Sequence, residues 1–196
     1  MTTVLVAEDE SLIRMDLVEM LGELEYEVLA QTGDGASAVE LARQLRPDVC
    51  FLDVAMPVRD GIWAAEVISA ERLSAVVMVT AFGQADVIAR AASAGAMGYL
   101  VKPFAKADLM PAVEMAKARW SQMLALEEQV ADLSERMAAR SLVERAKAFL
   151  QQALVIDEAS AFAMLRRQAM DQRVTLAEIA AQVLAGAQPQ THDSSR

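Results

Sequence analysis

Residues 3–24 read "TVLVAEDESLIRMDLVEMLGEL", and the order of their parts decides the fold. An apolar, partly β-branched run from Thr3 to Ala7 has strand character, three acids follow it, and an amphipathic stretch begins at Ser11. The theme repeats along the first ~103 residues. Strand-like runs "YEVLA" (26–30), "DVCFLD" (48–53), "AVVMVT" (75–80) and "MGYLV" (97–101) alternate with "GASAVELARQL", "GIWAAEVISAERL" and "QADVIARAASAG". This β-α alternation predicts an α/β fold: a doubly wound, five-stranded parallel sheet with helices on both faces. In such open sheets, ligands bind beyond the carboxyl ends of the strands.

Those strand ends carry chemistry. Glu8 and Asp9 follow the first strand, Asp53 ends the third, Thr80 the fourth and Lys102 the fifth. Alone, each has a plain explanation: a turn or cap for an acid, a solvated lysine, a strand terminus for Thr80. Together they bring three carboxylates, a hydroxyl and an ammonium to one crevice. Clustered carboxylates repel unless a hard cation joins them, and Mg²⁺ takes carboxylates, a carbonyl and waters. Asp53 is then the candidate nucleophile, with Thr80 and Lys102 to contact phosphoryl oxygens.

Composition narrows the alternatives. The chain has 196 residues, 55% of them hydrophobic, enough for one domain and a smaller module. No apolar run approaches the ~20 residues that span a bilayer, and no basic region precedes the first strand. A soluble, cytoplasmic protein without a membrane partner is expected. The single cysteine (Cys50) and single histidine (His192) exclude an internal disulfide, a Cys/His zinc site and a Ser-His pair. The net charge of −10 is uneven: residues 1–141 hold 12 Lys+Arg against 22 Asp+Glu, whereas residues 142–196 hold 6 against 6. The acidic part repels nucleic acid, and the neutral end need not.

The motifs "AEDE" (7–10), "LDVAMPVRDG" (52–61), "TAF" (80–82) and "YLVKPF" (99–104) resemble those of the receiver domain of two-component response regulators, with its flavodoxin-like fold. The resemblance implies that Asp53 accepts a phosphoryl group from a sensor histidine kinase and slowly self-hydrolyses it, without the protein being an enzyme in its own right. It also implies that Glu8, Asp9, Asp53 and the carbonyl of Ala55 hold Mg²⁺. Thr80 and Tyr99 become the switch pair, and Lys102, before an expected cis Pro103, contacts the phosphoryl group. Gly61 is expected where a side chain would obstruct the backbone.

Beyond Phe104 the pattern is helical. Met123, Leu126, Val130, Leu133 and Met137 form a short heptad seam, open to pairing between protomers or to packing on the same chain. The apolar face rotates near Arg140, and three helices follow. The first ends near Gln152, the second opens at the N-cap Asp157, and the third opens with a Thr175/Glu178 capping box. Phe149, Leu150, Leu154, Phe162, Leu165, Ala169 and Met170 are candidate core positions, and Arg145, Lys147, Arg166, Arg167 and Arg173 a candidate basic patch. "RAKAFLQ" (145–151) and "EASAFAMLRRQAMDQRVTLAEIAAQVL" (158–184) resemble the ANTAR module, the RNA-binding output domain of antiterminator regulators. The implied organisation is a receiver (1–118), a helical coiled-coil linker (119–141), an ANTAR module (142–186) and a disordered tail (187–196). The implied function is phosphorylation-activated binding of RNA hairpins in nascent transcripts, as a homodimer on activation. The alternative is a helical module that binds a partner protein. Two departures from the family stand out: Ala148 where Gly is frequent, and no Gly in the turn "ALVIDE" (153–158).

Overall fold

A computed structural model describes residues 1–81 and 85–186, and their side chains except at 85–88. The expected features at Phe82 and in the tail, with His192, lie outside the described residues. Two compact units are formed, Met1–Ala125 and Leu126–Arg196.

The first unit alternates β1 (Thr3–Ala7), α1 (Ser11–Glu23), β2 (Glu27–Thr32), α2 (Gly35–Leu45), β3 (Val49–Asp53), α3 (Gly61–Ala70), β4 (Ala75–Thr80), α4 (Ala85–Ser93) and β5 (Gly98–Val101). The five strands are parallel in the order β2-β1-β3-β4-β5. The order reverses beside β1, which opens a crevice between the carboxyl ends of β1 and β3. Side chains alternate across each strand, so both faces need cover. Leu5, Cys50, Leu52, Val76 and Met78 pack on the side that includes Ala38 and Ile68 of the covering helices. Val4, Val6, Phe51, Val77 and Val79 pack with Leu17, Leu109 and Val113 on the other. Burial pushes the Cys50 thiol up to about 12, so it is an unreactive core residue. Asp34 and Asp60 cap α2 and α3 by accepting from the backbone N–H of Ser37 and Trp63, at 2.9 and 2.8 Å.

A single helix, α5, runs from Lys106 to Leu154 and contains Pro111. Then come α6 (Glu158–Gln172) and α7 (Leu176–Gly186). Asp157 caps α6 by accepting from Ser160 N–H at 2.8 Å. In the capping box of α7, Glu178 accepts from Thr175 N–H at 2.7 Å and donates its own backbone N–H to Thr175 Oγ1 at 3.2 Å. The turn without glycine keeps a helix-ending geometry because Val155 adopts φ 54°, the left-handed conformation usually given to Gly.

The second unit's core is small: Ala146, Leu165, Ala169, Ile179 and Ala180, edged by Leu142, Leu150, Val174 and others. Four expected core residues are not in it, and one of them, Phe149, is half-buried outside the cluster. Leu154, Phe162 and Met170 are 49%, 42% and 69% exposed. The reason is the stripe on α6, where Ala161, Leu165 and Ala169 recur at four-residue steps and are buried. Small alanines let helices approach closely, which leaves no room for an adjacent ring. On α5, Leu126, Val130, Leu133 and Met137 are each 60–67% exposed, so the described residues of this chain do not cover the seam.

Candidate functional site

Glu8 and Asp53 reach the crevice by separate backbone devices. Glu8 is held at the end of β1 by its N–H, which donates to Thr32 O at 3.0 Å, and its side chain is 1% exposed. Asp53 ends β3 and is 5% exposed; its Oδ2 accepts from Ala55 N–H at 3.0 Å, which aims the other oxygen into the crevice. Gly61 is indispensable for this loop. An added Cβ would stand 1.8 Å from the carbonyl oxygen of Asp53, so close approach, rather than an unusual φ, excludes a side chain there.

Lys102 joins these groups. Its backbone N–H donates to Thr80 O at 2.8 Å, and a cis peptide links it to Pro103. Its Nζ lies 2.8 Å from Asp53 Oδ1 and 2.6 Å from Glu8 Oε2. The Lys102 ammonium is the group that faces the buried Glu8 Oε2, which has no other donor among the described residues. Burial raises the pKa of Glu8 above the ordinary value, and the nearby Asp53 charge adds to this, while Lys102 opposes both. Burial lowers that of Lys102, but the two carboxylates outweigh it and the net direction is upward.

Thr80 is buried at the end of β4, whereas the Tyr99 side chain on β5 is 55% exposed. A cavity of about 200 Å³ is lined by both residues, together with Val54, Met78 and Ala96.

In the second unit the five expected cations separate. Arg145, Arg166, Arg167 and Arg173 are exposed. Lys147 is not: it is 8% exposed and its Nζ lies 2.6 Å from Glu158 and 2.9 Å from Glu144. Hydrogen bonds to Glu158 and then Glu144 hold its pKa above the ordinary value. Residues two apart on a helix point about 160° from each other, so Arg145 and Lys147 flank opposite sides of the buried stripe. The single patch expected around both is therefore corrected: Lys147 ties α5 to α6, and Arg145 faces outward. Arg167 is drawn to Asp171 at 4.0 Å. Arg145, Arg166 and Arg173 have no ion pair among the described residues.

A family model for the response regulator receiver domain matches residues 4–114, more than half of the chain. The chain belongs to the response-regulator family. A second model, for the ANTAR domain, matches residues 131–184. The response regulator is 52% identical over 181 residues to the transcriptional regulatory protein PdtaR of Mycobacterium tuberculosis, covering 92% of this chain and 88% of that one. It is 37% identical over 111 residues to the chemotaxis protein CheY of Halobacterium salinarum, 56% of this chain and 92% of the relative. Among solved structures, the receiver domain of the putative response regulator NarL from M. tuberculosis matches with a TM-score of 0.57 at 31% identity, over 59% of this chain and 96% of that one.

The response regulator's donor set fits a hard divalent cation. Glu8, Asp9 and Asp53 each offer a carboxylate oxygen within 4.8 Å of the others, and Glu8 Oε2 is buried with only Lys102 beside it, so a cation would relieve the repulsion among them. All the donors are oxygens, which suits Mg²⁺ and not a softer metal. Sequence reasoning misses Arg14. From α1 its guanidinium donates to the carbonyl oxygens of Glu8 and Asp9, fixing the peptide between two of the acids. The available signal is a lone arginine one turn into a helix that follows an acidic pair. No single helix among the described residues is long and apolar enough to cross a membrane.

Proposed function

We propose that this response regulator carries a phosphorylation signal from a sensor histidine kinase to hairpin RNA in nascent transcripts, and that binding there prevents transcription termination. Asp53 attacks the phosphoryl group of the kinase's phosphohistidine, the P–N bond breaks, and an acyl phosphate forms on the aspartate. Glu8, Asp9, Asp53 and the carbonyl of Ala55 would hold Mg²⁺, which would supply neutralising charge for the phosphoryl group that Asp53 receives. Lys102 gives up its contact with Asp53 to pair with a phosphoryl oxygen, Thr80 hydrogen-bonds another, and Tyr99 turns into the cavity it shares with Thr80. Slow self-hydrolysis resets the state.

Support for the output comes from one observation above the others: a module matching ANTAR exposes Arg145, Arg166, Arg167 and Arg173 in an otherwise acidic protein. The relative's name, a transcriptional regulatory protein, agrees with this level of control. Dimerisation fits the uncovered seam. A helix exposed on all sides is marginal in water, and a second copy joined along Leu126, Val130, Leu133 and Met137 supplies the missing contacts. Two modules on one dimer then bind paired hairpins with a raised effective concentration for the second. The boundaries 1–118, 119–141 and 142–186 are functional ones, since α5 passes through both. The protein acts in the cytoplasm, where transcripts are made.

Binding of a double-hairpin leader RNA across a salt series tests the reading. Steep loss of affinity with salt, and tighter binding after treatment with acetyl phosphate and Mg²⁺, are expected. Salt-insensitive or absent binding in both states refutes it and favours a module that binds protein.

A further inference from the structure

One face of α6 holds a feature that charge alone does not explain. Phe162, Arg166 and Met170 follow at four-residue steps, within an arc of about 80°. Arg173 stands at the C-cap of the same helix. Phe162 is 42% and Met170 69% exposed, and both arginines are exposed. The helix already buries a separate stripe of Ala161, Leu165 and Ala169, so these two large apolar side chains do not serve the core. The same pairing recurs on α5, where exposed Arg145 precedes half-buried Phe149 by four residues.

We propose that the α6 stripe is a base-stacking platform. The Phe162 ring and the Met170 thioether lie against unpaired loop nucleotides of an RNA hairpin, and Arg166 and Arg173 hold the adjoining phosphates. This rests on the RNA-binding reading of the module given above.

Alternation of flat or soft apolar groups with unpaired cations is what selects this occupant. Unstacked bases present π-faces that aromatic side chains cover without regard to sequence, and each base carries a phosphate for a nearby cation. A second copy docked stripe to stripe around a two-fold axis would bring Arg166 against its own counterpart. An apolar protein surface would strip water from two arginines and return no charge. The geometry also divides the cations. Arg167 projects about 100° away from Arg166 and is drawn to Asp171, and Lys147 is consumed by Glu144 and Glu158. Neither touches the bound loop.

The probe is a stem-loop enriched from a pool with randomised loops by the full-length protein in acetyl phosphate and Mg²⁺. Phe162→Ala is expected to weaken binding of that hairpin about 5- to 100-fold. Phe162→Trp retains binding, Arg166→Ala weakens it and lowers the salt slope by about one, and Arg167→Ala changes it less than about twofold. Ultraviolet crosslinks from loop bases fall within residues 158–172. Thermal melts establish that Phe162→Ala folds; should it be unstable, Phe162→Leu, apolar but without a π-face, makes the same test. If a hairpin is enriched but the Phe162 and Arg166 variants bind it like the wild type, the platform is refuted and RNA binding stands. The platform is equally refuted if those variants lose dimerisation alone. If no hairpin is enriched, the platform and the RNA-binding reading both fall.

Discussion

Replacing Val155 by glycine should stabilise the output module, although the change removes three carbons. Val155 ends α5 at φ 54°, and its side chain is 91% exposed. The left-handed conformation costs an L-residue roughly 1–2 kcal/mol, with β-branched residues at the unfavourable end. A side chain so exposed returns almost nothing through burial. Glycine removes the strain but enlarges the freedom of the unfolded chain, at a cost of about 0.4–1 kcal/mol. The net gain is therefore about 0.5–1 kcal/mol, or roughly 2- to 5-fold in the opening equilibrium. Hydrogen exchange of the full-length protein measures this locally: amides of α6 that exchange through opening of the module should slow by that factor in Val155→Gly. Val155→Ala, which keeps a Cβ in the left-handed region, should recover little of it. Unchanged or faster exchange in the glycine variant would refute the assignment of strain to this turn.

Other perturbations probe the receiver and the caps. Lys102→Met leaves Glu8 and Asp53 buried without their cation, and should destabilise the receiver by about 3 kcal/mol in thermal melts. Millimolar Mg²⁺ should restore much of the loss, and a melt indifferent to Mg²⁺ would argue against the metal site. Gly61→Ala forces a Cβ into the Asp53 carbonyl and should cost about 3 kcal/mol or more, with loss of phosphorylation; a normally phosphorylated, stable variant would contradict the packing. Asp157 and Glu178 cap α6 and α7, and their hydrogen bonds to Ser160 and Thr175 hold both pKa values below the ordinary range. Their contribution is complete above the unfolded values near 4 and is lost as pH falls through the lower folded values. The helicity of Asp157→Asn/Glu178→Gln, followed by circular dichroism, should vary less over that acid window than that of the wild type.

Much of this molecule is legible in its sequence because strand ends are local features. Asp53, Thr80 and Lys102 each close an apolar run, and parallel pairing brings such ends together without further information. The capping box of α7 is legible for the same reason: Thr175 and Glu178 need only each other. The core of the output module is misread where size is taken as a guide. Close alanine packing through Ala146, Ala161, Ala169 and Ala180 puts Phe162 and Met170 outside, and that depends on how three helices meet. Lys147 illustrates both limits. Its separation from Arg145 follows from helical geometry, but its partner Glu158 comes from the next helix and is set by the bend at Val155. Arg14 acts on backbone carbonyls, which a sequence does not display.

The most direct test of the link between Asp53 and RNA is crosslinking in living cells that carry either the wild-type protein or Asp53→Asn. Sequencing the recovered RNA is expected to return hairpin-bearing leaders with the wild type, sharply depleted with the variant. Equal recovery of the same RNAs from both would contradict phosphorylation control, and recovery of no RNA from either would contradict RNA as the output.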